Sequence, residues 1–137
     1  MSVTIKDNTD AVLKELDNAM ERALTRIGLA AEGYAKKSLT AQGAVDTGLL
    51  RNSVTFALSG EGANTTSYKA DRGGETGHYT GTAPNDKDKA VYIGSNVEYA
   101  IFIENGARGQ SPRPFLKPAA TEHTTTYKNI LKEELGK

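Results

Sequence analysis

Cysteine and tryptophan are absent from this 137-residue chain, and proline occurs only four times. Without cysteine there is no disulfide framework, no thiolate zinc site and no thiol nucleophile. Long apolar runs are missing too, and the longest falls well short of the roughly 20 residues that span a bilayer. The opening MSVTIKDNTD has no basic region followed by an apolar core, so no secretory signal is expected there. Nor is one sign of charge in excess, since 17 Lys and Arg balance 17 Asp and Glu. That balance argues against a protein built mainly to grip nucleic acid by counterion release, though a local basic patch stays open.

Chemistry-bearing patterns are equally sparse. His78 and His123 are the only histidines, and neither has metal-ligand spacing. They read as two solvated surface imidazoles. No G-x-S-x-G and no phosphate-binding G-x-x-x-x-G-K-[ST] occurs. Asp46-Thr47-Gly48 superficially matches the aspartic-protease triplet, but that site needs two triplets sharing a proton, and one is present. The better reading is a turn or cap at Asp46 and Thr47, with Gly48 supplying an unusual backbone angle. No catalytic, cofactor-binding or metal residue is assigned, and the chain is not read as an enzyme.

What is there begins with a helix. After a lead-in at 1–8, a candidate strand carrying Val3 and Ile5, Thr9 and Asp10 are good N-cap residues. Val12, Leu16, Ala19, Met20, Ala23, Ile27, Ala30, Ala31 and Tyr34 then form one stripe at helical period, predicting a helix to about Ser38. Gly28 and Gly33 mark either a bend or a close approach. Residues 40–48 read as a loop, and Ser53 to Leu58 alternate as a strand. A second strand is predicted at 89–95, KAVYIGS. Residues 96–105 fit a helical turn or a buried strand equally well. A last element starts between Arg113 and Phe115 and runs to the end as one helix, with a weak helix former, TEHTTT, at 121–126.

Residues 59–88 differ in character, with six glycines and almost no large aliphatic side chains. A stretch this long is not an ordinary connection inside a compact domain. It reads as a loop or hairpin arm on a single domain of residues 1–137, with Tyr68, Arg72, His78 and Tyr79 as candidate partner-binding residues. Arg108 and Arg113 flank Ser111-Pro112. Ion pairs with Glu98 or Glu104 are favoured for them over contact with nucleic acid. A nucleic-acid-binding module using Arg108, Arg113 and Lys117 is the alternative functional reading.

Three segments, V-D-T-G-L-L-R-N-S-V at 45–54, V-Y-I-G-S-N-V-E-Y-A-I-F-I-E-N-G at 91–106 and P-R-P-F-L-K-P-A at 112–119, carry a resemblance. In order and spacing, behind a long amphipathic helix, they resemble the gene-product-ten-like family of long-tailed bacteriophages, small neck and tail-completion proteins that join head to tail. The resemblance implies an α+β fold, with a small curved, mainly antiparallel sheet packed on a long N-terminal helix, a C-terminal helix and a Gly-rich arm. It implies a structural virion protein at the neck or tail junction, assembled in the bacterial cytoplasm. It further implies a ring, commonly a hexamer, around the DNA channel. Its partners would be a neighbouring neck or head-completion protein and the tail-tube protein, with DNA passing through unread and no membrane involved. Under it, Asp46, Thr47, Gly48, Leu50, Arg51, Gly94, Tyr99, Glu104, Gly106, Pro114, Phe115 and Pro118 are fold-holding residues. Leu49, Leu50, Val54 and Phe56 would enter the core, and Arg51 would pair with an acid such as Glu104. Tyr99, Phe102 and Ile103 would pack on the N-terminal helix, and Phe115 and Leu116 would anchor the C-terminal one.

Overall fold

The computed structural model describes residues 9–107 and 109–136. The candidate strand at Val3 and Ile5 and the candidate contact residue Arg108 lie outside the described residues. The chain is mixed helix and antiparallel sheet. α1 (Thr9–Ala41) is followed by α2 (Leu49–Ser53), β1 (Thr55–Leu58), β2 (Ser67–Lys69), β3 (Thr76–His78), β4 (Val91–Gly94), α3 (Ala100–Asn105), α4 (Leu116–Thr121) and α5 (Thr124–Leu135). The strands are divided between two two-stranded sheets. β1 pairs with β4, setting Thr55 opposite Gly94 and Ala57 opposite Tyr92, and β2 pairs with β3 as a hairpin.

α1 is the spine. Its buried residues include Ala19, Ala23, Ile27, Ala31, Ala35 and Leu39, a row in steps of four. At 3.6 residues per turn each step turns the row by about 40° around the helix. The row therefore winds, and successive stretches of α1 meet different neighbours. Ala23 and Ile27 meet Ile130 of α5, with Val91 packed alongside. Ala35 and Leu39 meet Leu50, Val54, Ala100, Phe115 and Ala119. Continued toward the N-terminus, the row reaches Glu15 and Ala11, which offer no apolar ridge. Val12 and Leu16, expected on the buried stripe, are exposed.

Gly28 sits beside that row, and a Cβ there would lie 2.5 Å from Cγ of buried Phe56. The close approach expected at a helical glycine is therefore a phenyl ring pressed onto the helix. Gly33 has nothing within 4 Å of its Cβ position.

Several expected boundaries change. Ser53 belongs to α2, a turn of helix that the alternating pattern conceals, and the strand begins at Thr55. Val54 and Phe56 are buried as expected, whereas Leu49 is only half-buried. Residues 100–105 are helix rather than strand. The C-terminal helix is two helices, because the chain breaks at Glu122 and His123, where TEHTTT has little helical propensity to resist it. The Tyr127 hydroxyl bridges the break by donating to the Ala119 carbonyl. His123 is no free surface imidazole: its ring stacks on Tyr34 with centroids 3.5 Å apart. Near the far end of α5, Glu134 is buried and accepts hydrogen bonds from Arg22 at 3.2 Å and Arg26 at 3.0 Å, tying α5 to α1.

Gly28→Ala will force Phe56 to shift and cost about 1–3 kcal/mol, as overpacking does. Gly33→Ala, in open space, will stabilise by about 0.5–1 kcal/mol. Urea unfolding of the two variants checks the pair, and equal effects would contradict the packing described.

Candidate assembly surface

The first of the three sequence segments holds the hairpin. Gly48 adopts φ 88°, ψ −2° and caps the start of α2. A side chain there would be doubly obstructed, by that left-handed backbone and by Asp71, whose Cγ would lie 2.8 Å from the added Cβ. Thr47 accepts from the Leu49 amide through Oγ1 at 3.3 Å, and its carbonyl accepts the Asp71 and Arg72 amides at 2.7 and 3.0 Å. Arg51 donates to one Asp71 carboxylate oxygen at 2.5 Å, and Asn52 donates to the other at 3.0 Å and to the Lys69 carbonyl at 2.8 Å. Arg51 thus pairs with Asp71, not with Glu104. The expected partner is fully engaged elsewhere, and the hairpin tip supplies an acid that spacing along the chain does not reveal. Asn52 and Asp71 are the residues that sequence reasoning missed, and no local signal marks either.

The arm residues are drawn inward unequally. The Tyr79 hydroxyl donates to the Ser53 carbonyl and lies 3.3 Å from that of Gly94. Burial pushes its phenol up to about 12. Tyr68 donates to the Asn96 side chain, whose amide in turn donates to the His78 carbonyl at 2.7 Å. Arg72 donates to the Asp46 carbonyl at 2.6 Å. The His78 ring is exposed.

The second and third segments are joined by one carboxylate. Glu104, in α3, accepts from the amides of Phe115 at 2.9 Å, Leu116 at 2.7 Å and Lys117 at 3.2 Å. These are the unpaired amides at the start of α4, and the next residue, Pro118, has none to satisfy. A carboxylate there also meets the positive end of the helix. Gly106, at φ 79°, makes the turn back, since a Cβ would lie 2.8 Å from the Gln110 carbonyl oxygen. Phe115 is then fully buried, with Leu116 packed beside it. Arg113 does not pair with Glu104. Its guanidinium is 3.5 Å from the Gly43 carbonyl, while its amide donates to Ile103. Lys117 is exposed.

Of the α3 residues expected on α1, only Ile103 enters the core. Tyr99 and Phe102 are exposed, together with Ile101 at 60%. A six-residue helix cannot bury every side, and α3 turns Ala100 and Ile103 inward. A second exposed apolar group, Val12, Leu13, Leu16 and Leu135, lies where α1 outruns its cover. A third feature is a cleft of about 290 Å³ on the β1–β4 sheet face, roofed by residues 79–83. Thr55 lines it, and the buried Thr55 hydroxyl has no hydrogen-bond partner among the described residues. Among the described residues no helix is long and apolar enough to cross a membrane, and no group of three or more His, Asp or Glu is placed to hold a metal.

Comparison with protein-family models, curated proteins and solved structures finds no match for the chain.

Hydrogen bonds from Asn52 and Arg51 hold the Asp71 carboxyl below its usual range. Its support for the hairpin is therefore complete above the unfolded carboxylate value, about 3.9, and is lost as pH falls through the depressed folded value. Asp71→Ala will lower hydrogen-exchange protection of the Ala70 and Asp71 amides while leaving that of Ala31 in α1 unchanged. Acidifying the wild type below about pH 4 will reduce protection at the same two amides first. Tyr79 acts at the other extreme: its raised value means stability present below pH ~10 is lost as pH climbs toward 12.

Proposed function

We propose that this chain is a structural subunit of the neck of a long-tailed bacteriophage. It works as a ring, with a hexamer as the expected size, coaxial with the DNA channel, and either joins head to tail or completes the tail. The observation that carries this reading is the set of apolar side chains that the described residues leave uncovered at separate places on one chain. Ile101 and Phe102 stand out on α3, and Val12, Leu13 and Leu16 on the first turns of α1. Exposed apolar side chains grouped in this way suit contact with other proteins.

Two further points support it. The three segments that carry the resemblance are used to hold a hairpin and to seat a helix, so their visible work is to hold a shape. The balance of 17 positive and 17 negative groups suits a subunit that surrounds DNA without clamping it. The ring would be built in the bacterial cytoplasm and reside in the virion, against a neighbouring neck protein on one side and the tail tube on the other.

Sedimentation velocity and native mass spectrometry of the purified chain, alone and with tail-tube protein, test the reading. A closed ring, formed alone or on the partner ring, is expected. A strict monomer that binds neither neck nor tube components would overturn it. Deleting the gene from its phage then separates the two roles. Tails of uncontrolled length indicate a terminator, and free heads beside normal tails indicate a joining protein.

A further inference from the structure

We propose that residues 66–79 form a hinged lid, which shields the β1–β4 sheet face when docked and lifts from the body as one unit. The device does not depend on the ring reading above.

The lid has its own internal bonds and a separate set of bonds to the body. Inside it, β2 pairs with β3, the Ala70 amide donates to the Glu75 carbonyl at 2.8 Å, and the Tyr79 amide donates to the Thr66 carbonyl at 3.0 Å. Below it the chain is clamped. The Asn64 amide donates to the Phe56 carbonyl at 3.2 Å, Gly62 bridges to Thr82, and the Ala83 amide donates to the Glu61 carbonyl at 2.8 Å. Between lid and clamp lies Gly81, with nothing within 4 Å of its Cβ position, so the chain can pivot there. Polar ties hold the lid down at three places along its length. Asp71 at the tip is tied to Arg51 and Asn52, Tyr68 and His78 to Asn96, and Tyr79 at the base to the Ser53 carbonyl. Ala70 is its one fully buried side chain, so apolar burial does little to keep it shut. A two-stranded hairpin is marginal by itself, so breaking one tie weakens the whole unit.

What lies under the lid favours its lifting. Thr55 stands opposite Gly94, and the Tyr79 phenol reaches over that pair to the carbonyls of Ser53 and Gly94. Thr55 is 4% exposed, and its hydroxyl is the one buried side-chain polar atom without a partner among the described residues. A hydroxyl kept dry and unpaired is costly. With Tyr79 raised, water reaches the hydroxyl and that cost is removed. The closed lid therefore holds a penalty that the open one releases, and the polar ties must outweigh it. Closed, the lid shields Ala57, Tyr92 and Gly94 on the sheet face. Open, it bares them together with its own Tyr68 and Tyr79, whose rings lie 5.6 Å apart.

Amide hydrogen exchange of the full chain, read by NMR, is the test, with circular dichroism to establish that each variant is folded. Asp71→Ala breaks the tie at the tip. It is expected to lower protection of the Ala70 and Tyr79 amides by the same factor, about tenfold, while the Ala83 and Ala31 amides keep theirs. Thr55→Val removes the hydroxyl and nearly keeps the shape, and is expected to raise protection of the Ala70 and Tyr79 amides about fivefold or more. Thr55→Ser keeps the hydroxyl and is expected to give no rise. If Thr55→Val is misfolded, Thr55→Ala is compared with Thr55→Ser instead, and its lid is expected to be the better protected of the two. A loss at Ala70 that leaves Tyr79 unchanged means a fraying tip rather than a lid and would overturn the proposal. A parallel fall at Ala83 or Ala31 would overturn it too, because the opening would then extend beyond the hinge. So would removal of the Thr55 hydroxyl that leaves the lid no better protected.

Discussion

Phe56 can lie against α1 only because residue 28 has no side chain. That contact fixes how near the β1–β4 sheet comes to the helix, and the remaining packing follows from it. With the sheet held close, small residues at 19, 23, 31 and 35 form a shallow ridge, and its four-residue step carries the packing surface gradually around the helix. One helix thereby serves α5 along one stretch and the Leu50, Phe115 and Ala119 cluster along another. A ridge of larger side chains would hold the neighbours farther off and open voids that a core of this size could not fill.

The three segments that stand out in the sequence are explained by pairings between distant parts of the chain. Glu104 belongs to the second segment and acts on the amides of the third. Thr47, Gly48, Arg51 and Asn52 belong to the first and act on Lys69, Asp71 and Arg72 in the intervening hairpin. Turn chemistry was legible at Gly48 because a left-handed backbone favours glycine wherever it occurs. The long helix was legible because its period extends over many turns. The partner of Arg51 was not legible, since any of several acids satisfies a guanidinium and only the folded chain chooses among them.

The short elements share a physical cause of difficulty. α2 was missed and α3 was left open between helix and strand, because five and six residues are too few for a period to separate the two. The resemblance implied Tyr99 and Phe102 against the N-terminal helix, but a single helical turn has one inward side, and Ala100 and Ile103 occupy it. Val12 and Leu16 continue a helical stripe without defect. What they lack is a neighbour, since α5 ends at Leu135 and the described chain places no other cover there. An amphipathic pattern specifies that a face is apolar, and whether that face is covered depends on the reach of the other elements.

The division between polar and apolar contacts separates the fold's two jobs. The hairpin is attached chiefly through hydrogen bonds and the Arg51–Asp71 ion pair, much of it exposed to water, with Ala70 its one fully buried apolar side chain. Contacts of that kind are individually weak and place a segment at the low end of local stability. The α1 ridge, Phe115 and the Glu104 cap are buried or half-buried and belong to the opposite end. A partner that engages the hairpin therefore competes with solvated polar contacts, whereas one that engages α3 meets a rigid apolar knob. Rigidity lowers the entropy lost on association. A partner of fixed geometry therefore loses less by docking on α3 than by docking on the hairpin.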